Sequence, residues 1–169
     1  MRTRTEFKFI WKRVQRDTVS RSLWELSRML RSRSADVRLY ALFKIREQLN
    51  TRLRKGYFAL ARRSIVDPDN DCRWQALIVV GEFVESNPTR VWRVVMQYGV
   101  SKVADIRAAV ATVLLEHLLE HHFTQIFPRA RRLAVRSREF ADTLSRSGNF
   151  IRGRRNIQRF QNLVRALSR

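Results

Sequence analysis

Three copies of one charge pattern constrain this chain more than anything else in it. "DVRLYALFKIREQL" begins at Asp36, "DCRWQALIVVGEF" at Asp71 and "DIRAAVATVLLEHL" at Asp105, so the aspartates stand 35 and 34 residues apart. In each copy an arginine follows two positions later (Arg38, Arg73, Arg107), and a glutamate follows eleven positions after the aspartate (Glu47, Glu82, Glu116). An alanine-rich, apolar run fills the interval. Six positions ahead of each arginine is Ser32, Asp67 or Ser101, short polar residues that cap helices and close turns. A repeat of this length is one supersecondary unit, which buries its apolar face only by stacking on its neighbours.

Each unit reads as a helical hairpin. In the second, "TRLRKGYFALARRSI" is the first helix, "VDPDND" the turn and "CRWQALIVVGEFVES" the second helix. The third runs through "NPTRVWRVVMQYGV", "SKVAD" and "IRAAVATVLLEHLLEHH". Pro88 falls where a first-turn proline is tolerated, and Val91, Trp92, Val94, Val95 and Tyr98 share one face. From Ile106 to Leu119 the chain is apolar nearly all round, as a helix sandwiched between neighbours must be. "SLWELSRML" supplies the first helix of the first unit, with Ser22 and Glu25 at capping-box spacing. The ends depart from the pattern, as terminal repeats do. "FKFIWKRV" sets Phe7, Ile10, Trp11 and Val14 opposite Lys8, Lys12, Arg13 and Arg16. "FTQIFPRARRLAV" and "EFADTL" form a degenerate fourth hairpin, "SRSGN" is a loop, and a last basic helix turns Ile157, Phe160, Val164 and Leu167 inward.

These units resemble the HEAT-repeat family, in which a turn Asp or its substitute, an Arg six residues later and an alanine-rich second helix recur in stacked hairpins. Asp67, Pro68, Asp69 and Arg73 carry the likeness best, Ser32 and Ser101 replace the turn Asp in the other units, and the resemblance covers residues 22 to 136. The tetratricopeptide and pentatricopeptide signatures are absent. The fold implied is all-α, a right-handed α-α superhelix of about three to four hairpins with basic terminal helices. The whole chain, 1–169, is read as one domain: a basic helix at 1–20, repeats at 22–50, 51–86 and 87–122, a capping repeat at 123–145 and a basic helix at 149–169. Five glycines and three prolines in 169 residues agree with long helices.

Charge is the second constraint. The formal net charge is +20, from 35 basic and 15 acidic residues. Residues 1 to 33 hold 10 basic and 3 acidic groups, residues 34 to 128 hold 13 and 10, and residues 129 to 169 hold 12 and 2. Nearly all of the basic groups are arginine, whose guanidinium grips phosphate oxygens as a fork. The lone Cys72 makes no internal disulfide, no apolar run is long enough to span a membrane, and "MRTRTEFKFIWKRVQR" lacks the core of a secretory signal. A cytoplasmic, reducing location without integral membrane association is expected. An arginine-rich start is also found in organellar transit peptides, but Glu6 and Asp17 interrupt it.

Three motifs suggest chemistry. Asp67, Asp69 and Asp71 open like a calcium loop, yet the positions that should be Gly and Glu are Cys72 and Ile78. "HLLEH", His117 to His121, matches a zinc-peptidase motif with Glu120 as base, but the third ligand would have to come from Glu139 or Asp142 in a weak repeat. The favoured reading is the polar end of a helix. HEAT-like DNA glycosylases use a Trp four residues before a catalytic Asp, whereas Gln15, Arg28, Ile78 and Met96 follow Trp11, Trp24, Trp74 and Trp92 at that distance. Tryptophans at helical spacing are read as core. No metal, cofactor or catalytic residue is expected. Arg38, Arg73 and Arg107, with Asp67 and Asp71, are read as structural, bonding turn oxygens or acids of the same or the next repeat. Glu47, Glu82 and Glu116 lie half a turn out of phase with those arginines and are read as unpaired within their own helices, meeting a neighbouring repeat's basic group or forming an acidic stripe that repels phosphate.

Function is therefore placed outside the repeat. Arg129, Arg131, Arg132, Arg136 and Arg138, with Arg152, Arg154, Arg155 and Arg159, are too dense for internal pairing where Glu139 and Asp142 are the acids nearby. The expectation is a non-catalytic protein that binds DNA or RNA phosphates through these arginines. The alternatives are a scaffold for an acidic protein and a glycosylase acting on alkylated bases.

Overall fold

In the computed structural model, residues 4–17, 20–49 and 54–167 are described. They are helical and contain no strand. Phe7, Trp11 and Arg16, assigned above to the faces of the first helix, lie outside the residues whose side chains are described. The chain gathers into two compact units, Met1–Val80 and Gly81–Arg169.

The first unit comprises α1 (Arg4–Arg16), α2 (Leu23–Met29), α3 (Ala35–Glu47), α4 (Arg54–Arg63) and most of α5 (Asn70–Gly81). Ile10 and Val14 are buried on α1, while Lys8, Lys12 and Arg13 face solvent. Helix α2 starts in a closed capping box: the Glu25 amide donates to Ser22 Oγ at 3.2 Å, and the Ser22 amide donates to Glu25 Oε2 at 2.8 Å. That network holds the Glu25 carboxyl below its ordinary value, the Ser22 backbone bond being the largest cause. α3 buries Leu39, Ala41, Leu42, Phe43 and Ile45 around its circumference. Each large side chain of that set contributes about 1.5–3 kcal/mol by leaving water.

Lys44, 2% exposed on the same helix, is buried for a polar reason. Its ammonium donates to the carbonyls of Val14 and Asp17 at the end of α1 and to Glu47 Oε2 at 2.7 Å. Glu47 thus does pair within its own helix, with Lys44 three residues back rather than with the repeat arginine. The expectation overlooked Lys44, whose ammonium supplies the end of α1 with a cation.

The second unit holds α6 (Pro88–Tyr98), α7 (Ala104–Ala109), α8 (Glu116–Arg136), α9 (Arg138–Ser145) and α10 (Arg154–Leu167). Asn87 caps α6 by accepting from the Arg90 amide at 3.2 Å, Pro88 occupies its first turn, and Val91, Trp92, Val94 and Val95 are buried. A π-helical stretch, Val110–Leu115, joins α7 to α8 and buries Val110, Ala111, Leu114 and Leu115. Within α8 the helical backbone breaks at His122 (φ −134°, ψ 37°), six residues before Pro128. There the imidazole Nε2 lies 3.1 Å from the Val84 carbonyl. Glu116 is buried and accepts from the Asn149 amide at 2.6 Å, so it belongs to no acidic stripe.

The ends of the second unit depart in part from the expected faces. Phe160 is buried on α10 and closes on Gly148, whose φ of 114° is left-handed. Ile157 is 38% exposed, and Val164 and Leu167 are half-buried. The helix rests on one aromatic anchor, and its flanking apolar residues stay near solvent. In the first unit Trp24 is also not core: it is 66% exposed, with the Arg28 guanidinium over its ring at 5.1 Å. The cation covers a face that burial was expected to cover.

Candidate functional site

The repeat arginines make the same bond three times. Arg38 Nη1 donates to the carbonyls of Ser32 and Arg33 at 2.9 and 3.0 Å. Arg73 Nη1 reaches the carbonyls of Asp67 and Pro68 at 2.9 and 3.0 Å, and Arg107 Nη1 those of Ser101 and Lys102 at 2.7 and 3.3 Å. In every case the acceptors are six and five residues back, in the turn that joins the two helices of the hairpin. Of the remaining guanidinium nitrogens, those of Arg38 make a bidentate pair with Asp67 at 2.7 and 2.8 Å, Arg107 Nε meets Asp142 at 2.9 Å, and Arg73 Nη2 donates to Asn70 Oδ1 at 3.0 Å. The Asp67 bond, foremost, raises the Arg38 pKa further. Burial opposes ionisation of Asp142, but Arg146 and Arg107 outweigh it and hold its carboxyl below the ordinary value. These three guanidiniums are engaged within the fold.

The aspartates of the turn are occupied as well. Asp67 takes Arg38 and also accepts from the Asp69 amide at 2.9 Å, while Asp69 caps α5 by accepting from the Cys72 amide at 3.0 Å. Cys72 is buried, and burial, with Asp67 and Asp69 nearby, pushes its thiol far above the ordinary value. A thiol so held is unreactive.

A different set of arginines converges on open space. A groove of about 380 Å³ runs between α6 and the second half of α8, lined by Thr89, Trp92, Arg93 and Met96 from one helix and Arg129, Arg132, Leu133 and Arg136 from the other. Both sets step as i, i+3, i+4, i+7, the spacing of one helical face. The α6 stripe exists because Val91, Val94 and Val95 turn inward; this leaves Arg93 and Met96 outside, Met96 42% exposed. On α8 the inward positions are Ile126, Phe127, Ala130 and Ala134, which leaves the arginine row on the flank. Four guanidiniums share this groove, its lining includes no carboxylate, and among the described residues none of the four makes an ion pair.

The predicted arginines divide accordingly. Arg129, Arg132 and Arg136 come together in the groove, joined by Arg93, which the sequence reading missed because it lies in the charge-balanced middle of the chain. Arg131 and Arg138 are exposed outside the groove lining. Arg152 is paired with Glu120. Arg159 lies over the rings of Phe123 and Phe127 at 5.7 and 5.1 Å. Arg154 and Arg155 stand exposed in the first turn of α10, which carries no acid, so their charge opposes the helix dipole.

One cluster near α10 has metal-ligating chemistry. His117 Nδ1 lies 3.2 Å from Glu120 Oε2, and His121 Nε2 lies 3.6 Å from the same oxygen. His117, foremost, and then Arg152 hold the Glu120 carboxyl below its ordinary value. Among the described residues no helix is long and apolar enough to cross a membrane. No family model, no curated protein and no solved structure matches the chain.

Proposed function

We propose that this chain is a non-catalytic binding protein built from HEAT-like hairpins, and that the groove between α6 and α8 grips the phosphate backbone of a nucleic acid. The observation that carries the reading is the facing pair of stripes, with Arg93, Arg129, Arg132 and Arg136 around one groove and no acid among its lining residues. Four like charges held together without a counter-charge repel one another, and a polyanion relieves that repulsion. Arg129 to Arg136 spans about 10.5 Å of helix, which sets its three guanidiniums along a run of successive phosphates rather than on a single one. Guanidinium forks on phosphate carry no sequence information, so binding is expected to be sequence-independent. The HEAT-like assignment of the hairpins is supported by the turn-carbonyl bonds that Arg38, Arg73 and Arg107 share.

The test is affinity for labelled DNA and RNA, single-stranded and duplex, across a salt series. Four phosphate contacts give a log–log slope of roughly −3 to −4, and Arg132→Ala or Arg136→Ala should each flatten it by about 1. A flat slope, or no binding at about 50 mM salt, removes the reading. A second reading has one observation behind it. Trp92, Met96 and Leu133 give the groove an apolar part of its lining, which an acidic peptide with apolar side chains would cover and a phosphate backbone would not. Capture of a partner that survives nuclease treatment and is lost in Met96→Ser favours the peptide.

A further inference from the structure

We propose that His117, Glu120 and His121 form a site for one divalent transition-metal ion, zinc foremost, and that Arg152 holds its affinity down. The three residues occupy i, i+3 and i+4 on the first turns of α8 and so share a face. Their donor atoms all lie within 4.8 Å of one another, and the two separations to Glu120 Oε2 are 3.2 and 3.6 Å. Zinc–nitrogen and zinc–oxygen bonds of about 2.0–2.2 Å put tetrahedral donors about 3.3 Å apart. Two of the three edges are therefore near their bound length, and small side-chain rotations close the third. Two imidazoles and a carboxylate are a zinc donor set that leaves a fourth position open. Glu85, whose Oε1 lies 3.7 Å from His121 Nε2, stands next to that position and adds negative charge.

The surroundings orient the ligands. The Phe150 ring stacks on His117, centroids 5.6 Å apart and planes within 7°, holding the imidazole with Nδ1 toward Glu120. Arg152 binds the other carboxylate oxygen, Oε1, leaving Oε2 to face both imidazoles. That arrangement fixes the carboxylate but sets a fixed positive charge beside the ion, so affinity in the micromolar range is expected rather than the much tighter binding of closed structural sites. His122 is not a donor, since its Nε2 faces the Val84 carbonyl at the helix break.

The test is titration of the full chain, freed of metal, with Zn²⁺ by calorimetry and with Co²⁺ by visible absorption. One ion per chain with tetrahedral cobalt bands is expected. His121→Ala and Glu120→Gln should each weaken binding by about tenfold to a hundredfold, and Arg152→Ala, which removes the positive charge beside the ion, should tighten it by about threefold to tenfold. No saturable binding up to about 1 mM metal, or unchanged affinity in both His121→Ala and Glu120→Gln, overturns the site. Equal or weaker affinity in Arg152→Ala overturns the role given to that residue. His117→Ala also removes the stack on Phe150, so its circular dichroism is compared with that of the parent, and Glu120→Gln serves if the fold is lost. Nucleic-acid affinity does not enter these readouts, so the site and the groove stand or fall separately.

Discussion

At the scale of single residues, the most consequential group is Arg38. It is nearly buried, its guanidinium has four hydrogen bonds, and its partner Asp67 is nearly buried too. Arg38→Ala leaves Asp67 as an uncompensated buried charge and frees two turn carbonyls, and should cost about 3–5 kcal/mol in urea unfolding. Arg38→Ala with Asp67→Ala should recover part of that loss, because the stranded charge is gone. Arg107→Ala should cost less, about 1.5–3 kcal/mol, because Asp142 is a third exposed and keeps Arg146. Glu139 offers a pH readout. Its bonds to Lys102, first, and to its own backbone and Ser137 lower its pKa to about 2. A carboxylate whose folded pKa is depressed stabilises the fold fully above its unfolded value near 4.3, and that contribution is lost as pH falls through about 2. An NMR titration of the Glu139 side chain should show the low midpoint, and Lys102→Ala should move it up toward the ordinary value.

At the scale of elements, the loop before α10 depends on Gly148. Its φ of 114° excludes an L side chain at low cost, and an added Cβ would fall 2.5 Å from the Phe160 ring. Gly148→Ala should therefore lower stability by about 1–3 kcal/mol and loosen α10, seen as a lower melting temperature and faster amide exchange over Arg154–Leu167. The helices and their order were legible in the sequence because Ser22 with Glu25 and Pro88 mark starts, α6 sets its apolar residues at a helical period, and α3 and α5 carry the apolar runs of the repeat. The faces of the terminal helices were less legible. Ile157 keeps the spacing of a core residue on α10 yet remains 38% exposed, since periodicity tells which residues share a face and not how much of that face finds a neighbour. Trp24 went the other way from its expected burial because Arg28, one turn on, covers its ring in the open. Three of the groove arginines were visible as a dense run, but Arg93 was not, for it becomes significant only through the packing of α6 against α8.

At the scale of the whole molecule, a net charge of +20 draws polyanions to any surface, so charge alone must be separated from a site. Arg129, Arg132 and Arg136 changed together to alanine remove three charges from the groove. Arg131, Arg154 and Arg155 changed together remove an equal number of charges from exposed positions outside it. If the groove is the contact, the first variant should lose about a hundredfold or more in nucleic-acid affinity at moderate salt and the second about tenfold or less. Equal losses would assign binding to diffuse charge. The bond made by Arg38, Arg73 and Arg107 bears on a different matter, the freedom of this chain to vary. Each guanidinium closes on main-chain oxygens, and the first residue it clasps, Ser32, Asp67 or Ser101, also accepts from the amide two positions on through its own side chain. Serine and aspartate occupy that first position, while arginine, proline and lysine occupy the next, which lends its carbonyl to the clasp whatever its side chain. A joint that takes a short polar side chain at one clasped position and only a carbonyl at the next leaves the second position open to change and holds the first to serine, aspartate or their like.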